Sequence, residues 1–421
     1  MAAIAPSLNA IECLKTSTSD AEILEQMQLL YTLTTYPPSI GGAQIHQHYL
    51  AQQLQLRHSV QVVSQWDINR TDWLLGTTLR APSVSRDYAI DHIPVHRLGL
   101  STWEKISLAP YVPLYYPLMS IALPPIARVL EKHIAPYAAK ADVVHNIRIG
   151  REGLSYASYQ AARRHDRPFV LTPVHHPRWV GWRYRAYLRL YQMADAVIAL
   201  TQAEKRILMA LGVREERITV TGVGSVLAPT ADPSTFLEQY GLKEPIVLFL
   251  GQHYPYKGYQ QMLQAASLVW QKVPEAQFVF VGPPVADSEK AFAQASDRRI
   301  HRLGNVDLQT KTNALAACTL LCVPSSQESF GGIYTEAWSF GKPVIGCDIP
   351  AVAEVISDGV DGLLTTQAPA QIADRILSLL ANPSQAIAMG AAGKQKVESR
   401  FTWEKIAAQL EGVYRGLRGD G

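Results

Sequence analysis

The chain has 421 residues, of which 48% are apolar and 18% are charged. This composition is typical of a core-forming globular protein, and it excludes wholesale disorder and collagen-like repeats. The length favours two domains over one, because single hydrophobic cores stop growing well below this size. The 39 basic and 36 acidic residues leave a net charge of +3, which is too balanced for a dedicated nucleic-acid binder. We therefore expect no nucleic-acid partner.

The cysteines and the N-terminus bear on the compartment. None of the four cysteines forms a CxxC pair, and four in so long a chain make no disulfide framework. The first residues lack the basic and apolar regions of a signal peptide. We therefore expect a weakly ordered extension over residues 1–25 and a reducing, cytoplasmic location.

Short β-rich runs alternate with helical patterns along the first half of the chain. This alternation predicts βαβ units, and therefore a parallel sheet covered by helices on both faces. The predicted strands are Gln28–Thr35, Val60–Ser64, Ala141–His145, Pro168–Thr172, Ala196–Leu200 and Ile218–Thr221. The predicted helices are Gln44–Leu54, Leu154–Arg164, Trp182–Met193 and Gln202–Leu211.

One stretch of this half, residues 106–127, contains no charged residue and is long enough to span a bilayer. It also contains five prolines, and prolines break the helix that a lipid-facing segment requires. We therefore predict a buried loop followed by a helix. Peripheral membrane contact through residues 106–127, or a lid over an apolar acceptor, is the alternative.

The alternating pattern restarts after a Gly/Pro/Ser-rich segment, GVGSVLAPTAD at Gly222–Asp232, which predicts a linker. Two such series predict an α/β fold of two doubly wound, parallel-sheet domains that face each other across a cleft. The predicted strands are Ile246–Leu250, Gln277–Val281, Leu320–Pro324 and Pro343–Ile345, and the predicted helices are 258–272, Gln309–Ala317 and one that begins near Gly332. The predicted domains are residues 26–222 with 400–421, a linker at 223–240, and residues 241–399.

Several catalytic motifs are absent from the sequence. No G-x-G-x-x-G follows a strand, and there is no Walker A loop and no G-x-S-x-G nucleophile elbow. Asp-x-Asp and H-E-x-x-H are also absent, so we expect neither a metal nor a cofactor. Charge stabilisation is therefore left to side chains, backbone amides and helix ends.

The strongest motif is PSSQESFGGIYTE at Pro324–Glu336, where an apolar strand runs into a loop and a helix. Gly331 and Gly332 would let a ligand approach the unpaired N–H groups of the helix start, where the dipole favours an anion. Glu328 lies just before the helix, and Glu336 can accept hydrogen bonds from a sugar diol. A capped helix with two surface carboxylates is the structural alternative.

Two other loops after strands could face the same cleft. The segment LGQHYPYKG at Leu250–Gly258 carries Lys257, a compact cation suited to phosphate. In YPPSIGGAQ at Tyr36–Gln44, Gly41 and Gly42 allow close backbone approach at a helix N-terminus. A solvated lysine and an ordinary βα turn are the structural alternatives.

Histidines and arginines gather beyond strand ends in the first half. His175 and His176, in TPVHHPR, lie where they could position or protonate a ligand. Arg148, Arg151 and Arg178 could hold a phosphate. Structural histidines and a basic helix surface are the alternatives.

From about Leu29 onward, these motifs resemble the family 4 retaining glycosyltransferases of the GT-B architecture, which has two Rossmann-like domains. The resemblance is clearest at Glu328–Glu336, which matches the family's E-x7-E motif, and it extends to Gly359–Leu364 and Phe401–Ala407. It implies a nucleotide-sugar donor and a sugar or sugar-phosphate acceptor as partners, as in the sucrose-phosphate synthases of this family. It also implies that the last helix crosses back onto the N-terminal domain.

The resemblance also implies residue roles. Lys257 would hold the donor diphosphate, Glu336 the nucleotide ribose and Glu328 the donor sugar, with the base against the backbone near Val306. His176, with His175 as second choice, would lie at the donor sugar. The implied catalytic residues are Glu328, His176 and Lys257. The implied donor-binding residues are Gly41, Gly42, Gln252, Lys257, Val306, Glu328, Phe330, Gly331, Gly332, Ile333 and Glu336. The acceptor-binding candidates are His175, Arg178, Arg148 and Arg151.

One departure from the family pattern is Gln252, where the family usually has Arg. A bidentate arginine is not replaced in kind by glutamine, so the leaving group would depend on Lys257 or on another arginine. The resulting hypothesis is metal-independent, retaining transfer of glucose from UDP-glucose to a phosphorylated sugar such as fructose 6-phosphate. The alternatives are a lipid or polysaccharide acceptor at a membrane, an epimerase or hydrolase, and a silent binding protein. Whether Glu328 forms a covalent intermediate or stabilises a cationic ring is open.

Overall fold

The computed structural model of the protein describes residues 25–38, 41–66, 73–148, 152–175 and 181–419. The extension predicted over residues 1–25 lies almost wholly outside these residues. So do three predicted site residues, Arg151, His176 and Arg178.

The first half of the chain forms a predominantly parallel sheet with helices on both faces. Its strands are β1 (Gln28–Thr35), β2 (Ser59–Trp66), β3 (Arg86–Ile90), β4 (Ile93–Arg97), β5 (Val143–Ile147), β6 (Phe169–Thr172), β7 (Ala196–Ala199) and β8 (Ile218–Val220). Its helices are α1 (Gly42–Leu54), α2 (Trp73–Gly76), α3 (Thr102–Leu108), α4 (Met119–Ala138), α5 (Glu152–Arg164), α6 (Arg185–Met193) and α7 (Gln202–Ala210).

The eight strands lie in the order β3-β4-β2-β1-β5-β6-β7-β8, and β1 therefore lies near the middle. Every pair is parallel except β3 with β4, which are antiparallel at one edge. Seven of the eight residues of β1 are buried, because both faces of a parallel sheet are covered by helices. This coverage places the polar ligand-binding groups at the carboxyl edge of the sheet.

The charge-free segment forms a loop and a helix, but the predicted burial of the loop is wrong, because Tyr115 alone among residues 109–118 is buried. Turns occupy residues 109–118, and α4 begins at Met119. The expectation that all five prolines interrupt a helix is wrong, because Pro124 and Pro125 lie inside α4. Their missing N–H groups would have paired with the carbonyls of Ser120 and Ile121, which are exposed residues that can turn to water. No helix among the described residues is both long and apolar enough to cross a bilayer.

The second half restarts with a helix and then a second parallel sheet. Its strands are β9 (Ile246–Leu250), β10 (Gln277–Val281), β11 (Ile300–Gly304), β12 (Leu320–Val323), β13 (Val344–Cys347) and β14 (Gly362–Thr365), in the order β11-β10-β9-β12-β13-β14. Its helices are α8 (Pro233–Tyr240), α9 (Tyr259–Val269), α10 (Ala286–Gln294), α11 (Leu308–Ala317), α12 (Gly332–Ser339), α13 (Pro350–Val355), α14 (Pro369–Ala381), α15 (Pro383–Arg400) and α16 (Trp403–Arg418).

The segment predicted as linker contains a helix. Residues 222–232 have no regular structure, but α8 follows from Pro233. Asp232 caps this helix, since its carboxylate accepts a hydrogen bond from the Thr235 backbone N–H at 3.0 Å, and Pro233 occupies the first helical position. The predicted helix at Trp182–Met193 is divided, because a 3-10 turn at Trp182–Tyr184 precedes α6.

The last helix, α16, returns to the first sheet. Its buried face joins the core that contains β1 and α1 through Trp403, Ile406 and Leu410. Tyr414 reaches deepest, since its hydroxyl hydrogen-bonds the Tyr31 hydroxyl at 2.8 Å and His145 Nδ1 at 2.6 Å. The end of the chain therefore ties both halves of the protein together.

Candidate active site

A cavity of about 400 Å³ lies between the two sheets. The first half contributes the start of α1, the ends of β5 and β6, and the residue after β7, and the second half contributes the loop before α12 and α12 itself. We call it the cleft cavity. Seven predicted site residues line it, which are Gly42, Glu328, Phe330, Gly331, Gly332, Ile333 and Glu336.

Glu328, which lines this cavity, forms an ion pair with Lys257, which does not. Lys257 Nζ donates to Glu328 Oε1, and the two side chains are only 18% and 11% exposed. Lys257 ends the 3-10 turn Pro255–Lys257 after β9, and Glu328 lies in the loop after β12. Because β9 and β12 are adjacent parallel strands, their carboxyl ends bring the two groups together. The two charges neutralise each other until a third charged group enters.

Glu336 forms a second ion pair deeper in the cavity. Its Oε1 accepts a hydrogen bond from Lys311 Nζ of α11 at 2.8 Å, and its Oε2 is buried without a hydrogen-bond partner. Burial raises the pKa of Glu336, whereas the Lys311 ammonium and, more weakly, the Val226 backbone N–H lower it. A buried oxygen without a donor is costly, and a ligand hydroxyl could supply that donor. No sequence motif indicated Lys311, which lies in an unremarkable helix.

The N-terminus of α12 opens onto the cavity without a side-chain cap. Gly331 has a left-handed φ of +87°, and no side chain bonds the first N–H groups of the helix. The side chain of Tyr334 packs against this turn. Its hydroxyl donates a hydrogen bond to the Val323 carbonyl at 2.9 Å. Uncapped N–H groups at a helix start suit an anion such as a phosphate.

The start of α1 faces α12 from the other domain. Gly41 is the N-cap residue in extended conformation and makes no side-chain cap, and Gly42 is exposed at the first helical position. His46, one turn later, also lines the cavity, with Nδ1 buried and without a hydrogen-bond partner. Burial lowers the pKa of His46 to about 4, so its ring is neutral near pH 7. The sequence contained His46, but no motif singled it out.

Besides Lys257, three predicted donor-binding residues are not part of the cavity lining. Gln252 is half-buried in the loop after β9, and Val306 is half-buried after β11, against the core of the second domain. Gly41 is buried behind Gly42. Phe330, which does line the cavity, packs edge-on against Phe401 with ring centroids 5.2 Å apart. These four positions follow β1, β9, β11 and β12, at the carboxyl edges of the two sheets.

His175 is held by a buried carboxylate. Its backbone N–H donates to Glu204 Oε1 at 2.6 Å, and the Leu200 N–H donates to Glu204 Oε2 at 2.8 Å. Glu204 therefore ties the loop after β6 to the loop after β7. The preceding residue, Val174, has a φ of +45°, which is strained for a β-branched side chain. No sequence motif indicated Glu204.

A second cavity of about 380 Å³ adjoins Glu328 on the side away from Glu336. His175 and Glu204 line it from the first domain, and Glu328 and Ile349 from the second. Glu328 and Ser329 line both cavities and therefore stand between them. An acceptor in the second cavity could meet a donor in the first at this boundary.

Arg148 supports this region from within the fold. It is buried, its guanidinium carbon lies 3.1 Å from the centre of the Tyr187 ring, and its Nη1 donates to the Tyr191 hydroxyl at 3.1 Å. It lines neither cavity. The structure therefore brings together the glycines, both glutamates and Lys257, whereas Arg148 stacks inside the first domain.

Two family models match the chain. The Glycosyl transferase 4-like domain matches residues 41–224, and Glycosyl transferases group 1 matches residues 235–396. The chain belongs to the family 4 glycosyltransferases of the GT-B fold. The two matched segments are the two sheet domains that enclose the cleft cavity, which is the two-domain arrangement that the family resemblance implied.

Curated relatives of this glycosyltransferase match parts of it. The phosphatidyl-myo-inositol mannosyltransferase of Mycobacterium tuberculosis is 32% identical over 44% of this chain and 50% of its own. The D-inositol 3-phosphate glycosyltransferase of Segniliparus rotundus is 30% identical over 55% of this chain and 54% of its own. The chain thus spans about half the length of these curated relatives.

Solved structures share the whole fold of this glycosyltransferase. HepE from Anabaena, in complex with UDP and glucose, is 21% identical and superposes with a TM-score of 0.69 over 92% of this chain and 99% of its own. The sucrose-phosphate synthase of Thermosynechococcus elongatus is 20% identical, with a TM-score of 0.71 over 94% and 100%. At these identities the likeness establishes the two-domain GT-B fold.

Proposed function

We propose that this glycosyltransferase moves glucose from UDP-glucose to an acceptor hydroxyl with retention of configuration and without a metal. The observation that carries the proposal is one cavity that is lined by Glu328, Glu336 and the glycines of two helix starts, with Lys257 paired to Glu328. UDP and glucose are proposed because HepE, of the same fold, was solved with both.

The donor would lie across the cleft cavity. Its diphosphate would accept hydrogen bonds from the uncapped N–H groups at Gly331 and Gly332 and would draw Lys257 away from Glu328. Its ribose would donate to the unpartnered Oε2 of Glu336. Glu328, released from Lys257, would then carry a free negative charge beside the sugar ring. Donor binding would thereby create the charge that stabilises a cationic ring.

Transfer would follow from this arrangement. The bond between the anomeric carbon and the donor phosphate oxygen breaks as Lys257 and the helix start take up the charge of UDP. The acceptor hydroxyl attacks from the same face, and its proton passes to a donor phosphate oxygen. His176 and, in second place, His175 are the proposed positioning groups at the sugar, and Gln252, Val306 and Ile333 the proposed outer contacts of the donor.

The acceptor proposed first is a phosphorylated sugar such as fructose 6-phosphate, as for the sucrose-phosphate synthase of the same fold. Because Arg148 is occupied by Tyr187 and Tyr191, its phosphate would depend on Arg151 and Arg178. Arg178→Ala should then raise the KM for the sugar phosphate far more than the KM for the donor. Equal changes in both constants would reject the phosphate-binding role.

The test of the transfer itself is an incubation of the purified protein with nucleotide sugars, with and without fructose 6-phosphate, in the presence of a chelator. We expect UDP release from UDP-glucose that depends on the acceptor, and an α-linked product by NMR. Release without any acceptor would indicate a hydrolase or epimerase instead. Activity that disappears with the chelator and returns with Mg²⁺ or Mn²⁺ would reject metal independence.

A lipid acceptor at a membrane surface is the second candidate. It is favoured by the large apolar side chains that residues 103–121 expose, and by the phosphatidyl-myo-inositol mannosyltransferases among the partial relatives. Replacing fructose 6-phosphate by lipid extracts in the same assay distinguishes the two. Glucose recovered in the organic phase would select the lipid.

A further inference from the structure

The first domain exposes a cluster of large apolar side chains outside the cleft. Of the thirteen large hydrophobic residues that are exposed in the described chain, five lie within residues 103–121. They are Trp103, Ile106, Tyr116, Leu118 and Ile121, and Trp103 is 80% exposed. Soluble proteins scatter such residues singly, whereas a contiguous group marks an interaction surface. We call these five residues the apolar patch.

The structure around α3 keeps the side chains of the apolar patch exposed. Trp103 and Ile106 lie one turn apart on α3, so they share one side of that helix. A capping box at Ser101 and Glu104 starts α3, and His133 of α4 contacts Glu104 at 2.7 Å. The opposite side of the segment is anchored by Leu108 and Tyr115, which are buried in the core of the first domain. The exposed side chains are therefore presented by a folded element.

Two cations follow the apolar patch along α4. The exposed side of α4 continues from Ile121 through Pro124 to Arg128 and Lys132, which are three or four residues apart. This stripe begins apolar and ends basic. Arg128 and Lys132 make no ion pair with any described residue. An apolar end beside a basic end is the distribution that suits an anionic membrane interface.

A groove of about 700 Å³ runs between α4 and α6 beside the apolar patch. Met119 and Leu123 line its apolar wall, and Arg185 and Arg189 of α6 line the facing wall. Neither arginine forms an ion pair with a residue that the structure describes. Trp182, 51% exposed, lies just before α6. Two unpaired arginines over an apolar wall suit a lipid headgroup phosphate above an acyl chain.

We infer that the apolar patch and this groove form a docking surface for an anionic phospholipid bilayer. Trp103, Ile106, Leu118 and Ile121 would enter the interface, and Arg185 and Arg189 would contact lipid phosphate. Docking of this surface on a bilayer does not depend on which acceptor the protein glycosylates.

Vesicle flotation tests this surface without any catalytic assay. We expect the full chain to float with vesicles of phosphatidylcholine and phosphatidylglycerol, and to remain below with vesicles of phosphatidylcholine alone. Tryptophan emission should shift to shorter wavelength on binding. The paired variant Trp103→Ser with Ile106→Ser should abolish the shift and the flotation. Its matched control, Ile387→Ser, removes an apolar side chain of the other domain that is more exposed than Ile106, and it should float like the parent.

The arginines are tested separately. Arg185→Gln with Arg189→Gln should weaken binding to phosphatidylglycerol vesicles by about fivefold per arginine, and added salt should weaken the parent in the same way. Arg214→Gln, an exposed arginine paired with Glu216, is the matched control. Failure of the parent to float, or flotation unchanged in both double variants, would overturn the proposal. A parent that is dimeric and becomes monomeric with Trp103→Ser and Ile106→Ser would assign the patch to self-association instead.

Discussion

The ion pair of Glu336 with Lys311 should determine how tightly UDP binds. Glu336→Gln keeps the shape and one acceptor, but it leaves the Lys311 charge without its counter-ion and removes the anionic acceptor for the ribose. A hydrogen bond to a charged group contributes about 1.5–3 kcal/mol, so the Kd for UDP should rise by roughly 10- to 100-fold. Calorimetric titration measures this, with Glu216→Gln as the control, since that exposed carboxylate pairs with Arg214 and lines neither cavity. An unchanged Kd would remove Glu336 from the donor site.

Glu204 is a buried carboxylate whose titration should be visible in the stability of the protein. Burial raises the pKa of Glu204 to about 7, against the lowering effects of the Leu200 and His175 N–H groups and of Arg148. A carboxyl whose folded pKa is raised favours the protonated form in the native state. Its contribution to stability is therefore complete below the usual pKa and is lost as pH rises through about 7.

The prediction is a pH-dependent difference between the parent and Glu204→Gln. Between about pH 5 and about pH 8, the unfolding free energy of the parent should fall relative to Glu204→Gln by on the order of 3 kcal/mol. Denaturant titrations across this range measure the difference. Glu215 is an exposed carboxylate that precedes β8 in the chain. In Glu215→Gln, the unfolding free energy should change with pH as it does in the parent. If the unfolding free energy of Glu204→Gln changes with pH as that of the parent does, the raised pKa of Glu204 is contradicted.

At the scale of elements, the start of α12 depends on one backbone conformation. Gly331→Ala would place a methyl carbon 2.5 Å from Cε2 of buried Tyr334 at a φ of +87°. The same change at Gly332 meets only Val223, at 3.4 Å. We expect Gly331→Ala to lower the unfolding free energy by about 1–3 kcal/mol and Gly332→Ala to change it by less than about 1 kcal/mol. Urea unfolding compares the two, and equal effects would contradict the strain.

The strands that position the site were predictable because buried parallel strands are near-continuous apolar runs. β1 and β10 have the predicted bounds. The antiparallel pair β3 and β4 was not predicted, because it is a half-exposed edge without an apolar run. Its turn also lacks a sequence signal, since Asp91 and His92 adopt positive φ where glycine or asparagine would be typical.

The residues of the site were likewise predictable only in part. Glu328, Glu336 and the glycines follow strand ends in recognisable motifs, so the sequence located them. Lys311 and Glu204 stand in ordinary helices, and their roles come from partners 25 and 29 residues away. Such pairings are created by packing between elements, which hydrophobic periodicity does not encode. Arg148 shows the converse, because a position after a strand does not determine whether an arginine turns outward or stacks inside.

At the scale of the whole molecule, the two domains meet across the cleft through a helix terminus. The carboxylate of Glu354 on α13 accepts hydrogen bonds from the backbone N–H groups of Gln202 and Ala203, the latter at 2.7 Å. These are the first N–H groups of α7, so a carboxylate of one domain caps a helix of the other. The second cavity lies next to this contact, since Ala203 and Ala351 both line it. The same contact between the domains therefore also borders that cavity.

This contact carries the last prediction. A carboxylate at a helix N-terminus contributes about 1 kcal/mol, so Glu354→Ala should shift the ratio of open to closed molecules by roughly fivefold. Small-angle scattering should show a larger radius of gyration for the donor-free variant than for the parent, and saturating UDP should reduce the difference, because a ligand that contacts both domains favours the closed form. Glu398→Ala, an exposed carboxylate change on α15, should scatter like the parent. A donor-free Glu354→Ala that also scatters like the parent would show that the linker and α16 alone set the domain arrangement.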